Sequence, residues 1–270
     1  MKDQKAGARL RDLVCCFAQN PDVEAVVLSG SAAGGVLDHR SDFDVYVYSR
    51  EFIPVDFREA MLRPRAQLLE VHRTFWEDED AWIEHDGSKF EAMYRSCEWT
   101  EGELSARCKR YEASVGYTTA VLYTIVRAEI LFDRNGWFKS VQEQLSTSYP
   151  AQLARAIVQK NFPLLGSVIS SYEEQIYAAF ERQDLISLNH RVAGWLASYF
   201  DILFAGNYTF HPGEKRLLTH ARALSSYPDA MSEDLALVCK GAADLRDNVG
   251  HHLSNMGECL RTWLHQKTLL

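Results

Sequence analysis

Two aspartates, Asp42 and Asp44, occupy alternate positions of the segment Asp42–Tyr48, in which polar and apolar residues alternate. This alternation predicts a half-buried β-strand, so both carboxylates are expected to project from one face. Hard divalent cations such as Mg²⁺ prefer oxygen ligands, and paired carboxylates can hold them against a phosphate chain. An Asp-x-Asp pair alone is more often a solvated strand face, so its meaning depends on what surrounds it.

A turn of small residues precedes this pair. The segment Val23–Leu28 is short, apolar and rich in valine, which predicts a buried strand, and it leads directly into Gly30 and Ser31. A strand followed by a glycine turn is a common arrangement for binding phosphate. Ten residues separate Ser31 from Asp42, which is enough to return the chain beside the turn.

Together, Leu28–Ser31 and Asp42–Val45 resemble the signature of the DNA polymerase β nucleotidyltransferase superfamily. The resemblance implies that Gly30 and Ser31 bind the β- and γ-phosphates of a nucleoside triphosphate. It also implies that Asp42 and Asp44 ligate magnesium, with two ions in the site.

The superfamily carries a third carboxylate on a later strand, and Glu91 in Lys89–Met93 is the best match. Many members have aspartate at this position, so the glutamate leaves three roles open. Glu91 is interpreted as a third metal ligand, as the general base that accepts the acceptor's proton, or as a surface charge on a hairpin.

The second half of the chain resembles antibiotic nucleotidyltransferases that act on aminoglycosides and lincosamides, and bacterial relatives with a C-terminal helical domain. Two segments carry this resemblance, Ile130–Gly136 and Asn207–Arg216. Lys215 is predicted from it to contact nucleotide phosphates, with an ordinary charge at a helix start as the alternative. Asp133 is interpreted as a turn former before Asn135 rather than as a catalytic residue.

The pattern along the chain predicts an α+β fold. Residues 1–109 are expected to form a nucleotidyltransferase domain with a mixed β-sheet and flanking helices, and residues 110–270 a C-terminal α-helical bundle. The predicted elements of the first domain are a helix, a third strand and a hairpin: Lys2–Gln19, Ala66–Val71 and Ala81–Tyr94. The predicted helical stretches of the remainder are Leu104–Phe132, Ala151–Phe180, Leu185–Leu203 and Glu233–Leu264.

Composition restricts the class of partner. A formal net charge of -8 argues against a surface for a nucleic-acid duplex, because duplex binding requires clustered Lys and Arg. No apolar run reaches about 18 residues, so no membrane span is predicted, and the expected location is the cytoplasm. The six cysteines lack metal-site spacing and are expected to be reduced. The acidic run Glu77–Asp80 is interpreted as a solvated loop, and His251 and His252 as surface or packing residues.

The function implied by the resemblance is transfer of a nucleoside monophosphate, with AMP from ATP as the expected case. The acceptor is a hydroxyl of a small molecule or a protein, and pyrophosphate is released. The rival hypothesis is a nucleotide-binding regulatory or antitoxin-like interaction module that keeps the fold without catalysis.

Overall fold

A computed structural model describes residues 2–30, 43–229, 231–244 and 248–270. The fold is α+β, as predicted, with a mixed six-stranded sheet, flanking helices and a helical C-terminal region. The chain forms two compact units: Met1–Leu104 with Thr124–Ser148, and Ser105–Tyr123 with Tyr149–Leu270. The division between residues 109 and 110 stays a prediction of domain organisation.

The first unit is built on strands in the order β3-β4-β5-β2-β1-β6. In chain order they are β1 (Val23–Ser29), β2 (Phe43–Ser49), β3 (Ala66–Arg73), β4 (Glu79–Glu84), β5 (Lys89–Ser96) and β6 (Glu129–Asp133). Strands β2 and β5 run parallel, and the other neighbours are antiparallel. The predicted strand at Ala66–Val71 and the hairpin within Ala81–Tyr94 are confirmed.

The described α-helices up to Thr147 are, in chain order, α1 (Lys2–Ala18), α2 (Val55–Leu62), α3 (Cys97–Cys108), α4 (Ala120–Arg127) and α5 (Trp137–Thr147). Leu13 and Phe17 of α1 and Leu62 of α2 are fully buried and belong to one core with the sheet. The strands contribute alternate residues to that core, such as Val45 and Val47 of β2. Period-two alternation therefore assigns Asp44 to the opposite face of the sheet.

The second, helical unit contains the other described α-helices, which are α6 (Ala151–Gly166), α7 (Tyr172–Glu181), α8 (Leu185–Gly206), α9 (Leu217–Arg222), α10 (Met231–Asp244) and α11 (Asn248–Gln266). They share one large core in which Trp195 and Tyr199 of α8 are stacked at 5.1 Å between ring centroids. Among the described residues, no helix is both long and apolar enough to cross a membrane.

Two predicted helical stretches are wrong in part. Leu104–Phe132 is not one helix: the chain leaves α3 at Cys108, re-enters helix at Ala120, and ends in strand β6. Gly116 and Tyr117 have positive φ angles of 72° and 53°, which interrupt a right-handed helix. Ala151–Phe180 divides between α6 and α7, where Ser171 caps α7 by accepting from the Glu174 amide.

The irregular segment before α4 is held by buried polar groups of the helical unit. Asp201 of α8 accepts from the backbone N–H and the hydroxyl of Thr118, at 3.0 and 2.6 Å, and is only 1% exposed. Asn161 of α6 accepts from the Gly116 amide at 3.0 Å and donates to the Ser114 carbonyl. Burial raises the pKa of Asp201 to about 6, although the Thr118 hydrogen bonds favour the charged form.

Asp201→Asn should therefore change how stability depends on pH. The folded-state pKa exceeds the ordinary value of 3.8, so the contribution of Asp201 is fully present below pH 3.8 and is lost as pH rises through about 6. Urea unfolding measures the free energy of unfolding of both proteins. The difference between wild type and Asp201→Asn should fall by roughly 2–3 kcal/mol as the pH rises across that window. The neighbouring His211, whose pKa burial lowers to about 4, titrates in both proteins and cancels in the difference.

Asp229→Asn, at an exposed aspartate of the same unit, is the matched control for replacing one carboxylate by an amide. A pH-independent difference for Asp201→Asn would contradict the assignment.

Candidate active site

The candidate site is a row of side chains on the face of the sheet opposite the core that contains α1 and α2. Asp44 of β2 is the register partner of Ser29 on β1 and of Glu91 on β5. Register partners project from the same face, and their strands lie about 4.8 Å apart. Asp44 and Glu91 are both half-buried. The fold thus brings two predicted site carboxylates side by side at the same end of β2 and β5.

Gly30 completes this arrangement at the end of β1. Its φ of 67° lies in the left-handed region, which glycine adopts without the penalty of a Cβ atom. A Cβ at this position would overlap Oδ2 of Asp44 and lie 3.0 Å from its Cγ. Only glycine therefore lets the backbone approach the Asp44 carboxylate this closely.

Gly30→Ala should consequently impair the site more than the fold. The methyl group must displace the Asp44 carboxylate, and the left-handed backbone adds strain of about 1 kcal/mol. The resemblance implies magnesium-dependent ATP binding, and on that premise we expect a small drop in melting temperature together with a loss of that binding, measured by calorimetry. Gly87→Ala is the matched control, since Gly87 also has a positive φ of 87° and nothing lies within 4 Å of its added Cβ. Equal loss of function in both variants would contradict the steric explanation.

Ser31 and Asp42, which the resemblance assigns to phosphate and metal binding, lie outside the described residues. Their roles stay predictions. Lys215 belongs to the helical unit, where it is exposed and directly precedes Arg216 with its positive φ of 54°. Its predicted contact with phosphate also stays a prediction.

The charges of Asp44 and Glu91 act on their neighbours. Burial raises the pKa of Tyr46, Arg95 opposes this, and Glu77 and Asp44 add to the rise. Burial likewise raises the pKa of Glu79, Arg73 opposes this, and Glu91 adds to the rise. Asp44 and Glu91 therefore contribute negative charge to this face, and Arg95 and Arg73 contribute positive charge to it.

The chemistry of these side chains fits magnesium. Asp44 and Glu91 supply hard oxygen ligands from adjacent strands, as such an ion requires. In the part of the chain that the structure describes, no cluster of three or more ligating His, Cys, Asp or Glu side chains occurs. The predicted second aspartate, Asp42, lies outside that part.

The sequence analysis did not predict that Arg95 belongs to this face of the sheet. Arg95 follows Glu91 and Met93 at period two along β5 and therefore shares their face. Its guanidinium lies 4.2 Å from the Tyr46 ring centroid and binds both carboxylate oxygens of Glu77, at 3.0 and 3.2 Å. The alternation Glu91–Met93–Arg95 is the sequence signal that could have identified it.

The acidic run Glu77–Asp80 is not a solvated loop, contrary to the prediction. Glu79 and Asp80 begin β4 and are buried. Asp80 accepts from the Tyr94 hydroxyl at 2.7 Å and lies 3.5 Å from the buried guanidinium of Arg58. Burial raises the pKa of Asp80, and these partners oppose the rise. The run has a structural role, because its carboxylates form ion pairs with arginine side chains of the sheet and of α2.

Asp133, which the sequence analysis interpreted as a turn former, caps a helix in the structure. Its two carboxylate oxygens accept from the amides of Phe138 and Lys139, both at 2.9 Å, and so cap the start of α5. The adjacent Arg134 donates to the carbonyl oxygens of Val23 and Ala18, each at 2.8 Å. This segment fixes β6 and α5 to β1.

Comparison with known proteins gives a family match and several similar structures. Residues 115–217 match the model of a family described as a domain of unknown function, DUF4037. No curated protein matches the chain in sequence.

Among solved structures, a nucleotidyltransferase-like protein from Exiguobacterium sibiricum is 12% identical, with 94% of this chain and 72% of that chain covered, at a TM-score of 0.45. An aminoglycoside 6-adenyltransferase from Bacillus subtilis is 9% identical, with coverages of 94% and 89% and a TM-score of 0.29. A spectinomycin adenyltransferase from Enterococcus faecialis is 13% identical, with coverages of 90% and 93% and a TM-score of 0.28. Similarities this weak carry no functional argument, so we infer the function from the site.

Proposed function

We propose that the protein is a magnesium-dependent nucleotidyltransferase that moves a nucleoside monophosphate, AMP from ATP, to a hydroxyl group. The observation that supports this most is the placement of Asp44 beside Glu91 on adjacent strands, against a glycine that tolerates no side chain. A carboxylate pair next to a bare backbone turn suits an anionic phosphate chain neutralised by a metal ion.

The proposed reaction forms one bond to phosphorus, breaks one bond to phosphorus and transfers one proton. The acceptor oxygen attacks the α-phosphorus, and the bond from that phosphorus to the oxygen bridging to the β-phosphate breaks. The electron pair of the broken bond leaves with pyrophosphate, and the hydroxyl proton passes to a carboxylate. Catalysis by positioning and charge stabilisation is typical of phosphoryl-type transfer.

The chain's own residues divide these tasks. Gly30 and Ser31 bind the β- and γ-phosphates, and Asp42 and Asp44 hold magnesium. Bound magnesium would neutralise phosphate charge as the leaving group departs. We assign Glu91 as the base that accepts the hydroxyl proton, with metal ligation as the alternative. Lys215 is proposed to contribute a phosphate contact, on the resemblance of its loop.

The test is incubation with Mg²⁺ and ATP labelled at the α-phosphate, with pyrophosphate measured in parallel. Formation of labelled AMP or a labelled adduct, matched by pyrophosphate and abolished by EDTA, is the expected result. A panel of other nucleoside triphosphates identifies the preferred donor. Binding of Mg·ATP without any pyrophosphate release would instead favour the non-catalytic interaction module.

A further inference from the structure

Glu91 separates two regions of the sheet face that carries Asp44. On one side its neighbours are Asp44 and then the turn at Gly30. On the other side its register partner is Ala81 of β4, and the partner of Ala81 is Glu70 of β3. If the donor's phosphates lie on the Asp44 side, an acceptor that meets the base from the opposite side must lie over β4 and β3.

A groove occupies that second region. It extends over β3, β4 and β5, has a volume of about 200 Å³, and is bordered by Glu91. Three strands span two interstrand spacings, about 10 Å, which is the width of a small molecule. Since a cavity of about 150 Å³ can hold benzene, the groove can take one substituted ring.

The lining of the groove combines apolar side chains with equal numbers of acidic and basic side chains. Leu68 is 55% exposed beside its register partner Ile83, so two aliphatic side chains offer a surface that an occupant could cover. The ionisable groups of the lining are two acidic and two basic side chains, namely Glu70, Glu91, Arg73 and Lys89.

One of the two basic side chains of the lining, Arg73, is already paired with carboxylates. One terminal nitrogen of Arg73 lies 3.0 Å from a carboxylate oxygen of Glu79, and the other lies 3.4 Å from a carboxylate oxygen of Glu70. An anionic occupant would have to compete with these carboxylates for Arg73. A strongly cationic occupant would meet Arg73 and Lys89 themselves. The balance of acidic and basic side chains in the lining therefore favours an uncharged occupant of the groove.

We propose that this groove binds the acceptor, and that the acceptor is a neutral, ring-sized molecule whose hydroxyl is directed to Glu91. The proposal rests on the proposed nucleotidyl transfer and names its acceptor class. The apolar face of the ring lies on Leu68 and Ile83, and the hydroxyl loses its proton to the Glu91 carboxylate as its oxygen bonds to the α-phosphorus.

The experiment compares Leu68→Trp, which fills the groove from β3, with Gln67→Trp. Gln67 is the exposed neighbour of Leu68 on the same strand and is not part of the lining, so it is the matched control. Each protein is incubated with Mg²⁺, α-labelled ATP and a macromolecule-free cell extract divided by ion exchange into neutral, cationic and anionic pools. The measured quantity is the ratio of labelled adduct to labelled AMP, and melting temperatures check the fold.

Wild type should label a product in the neutral pool. Leu68→Trp should lower the adduct-to-AMP ratio by at least about tenfold, while Gln67→Trp keeps the wild-type ratio. An unchanged ratio in Leu68→Trp, or a neutral pool that yields no adduct, would overturn the groove assignment while leaving nucleotidyl transfer intact. Absence of both AMP and adduct with wild type would overturn the proposed function as well.

Discussion

Asp44→Asn should abolish magnesium-dependent ATP binding and turnover together. The amide keeps the shape of the carboxylate, including the space against Gly30, but its neutral oxygen is a far poorer ligand for a hard divalent cation. Loss of an outer-shell partner of a metal site costs roughly 10- to 100-fold, so loss of a direct ligand should cost more. Calorimetry of Mg·ATP binding beside the pyrophosphate assay measures both effects.

The fold should survive this change, because Asp44 projects from the sheet face opposite Val45 and Val47, which belong to the core. Asp12→Asn is the control, since Asp12 is an exposed aspartate on α1 of the same unit. Magnesium-dependent ATP binding that persists at wild-type strength in Asp44→Asn would rule out metal ligation by Asp44.

The assignment of Asp44 to the sheet face opposite Val45 and Val47 follows from sequence alone. The alternation in β2 assigns Val45 and Val47 to the core and Asp44 and Tyr46 to the other face, and the structure agrees. Local patterns of this kind are readable because the side-chain period of a strand is two. The same logic applied to β5 places Glu91 with Met93.

The register between strands could not be derived in this way. Glu91 lies opposite Asp44 because β5 pairs in parallel with β2 in the sheet. In the chain, one helix and two further strands separate these two strands. No periodicity within either strand specifies that partner. The resemblance proposed Glu91 for the third carboxylate, but only the sheet shows that it is the direct neighbour of Asp44.

Strand β6 was missed for a related reason. Glu129–Asp133 is five residues long and continues an apolar run from α4, and short apolar runs do not distinguish strand from helix. Its identity is set by pairing with β1, about 100 residues earlier in the chain. The buried Asp80 was missed because its compensation by Arg58 and Tyr94 also comes from distant segments.

Glu91→Gln should give the second large effect, and one of a different kind. If Glu91 is the base, the amide removes proton acceptance while leaving Asp44 in place for the metal. Mg·ATP binding should then be nearly unchanged, and transfer should slow by about 10²- to 10⁴-fold, the usual contribution of a general base. A loss in kcat with ATP affinity retained is the signature of an interaction made only in the transition state.

Glu98→Gln, at an exposed glutamate on α3, is the control for removing one negative charge from the unit. If Glu91→Gln loses metal-dependent ATP affinity as severely as Asp44→Asn, Glu91 is a third ligand, because both carboxylates then hold the same ion. If Glu91→Gln changes neither binding nor rate, its placement beside Asp44 has no catalytic consequence. The two variants therefore separate metal binding from proton transfer within a single pair of register partners.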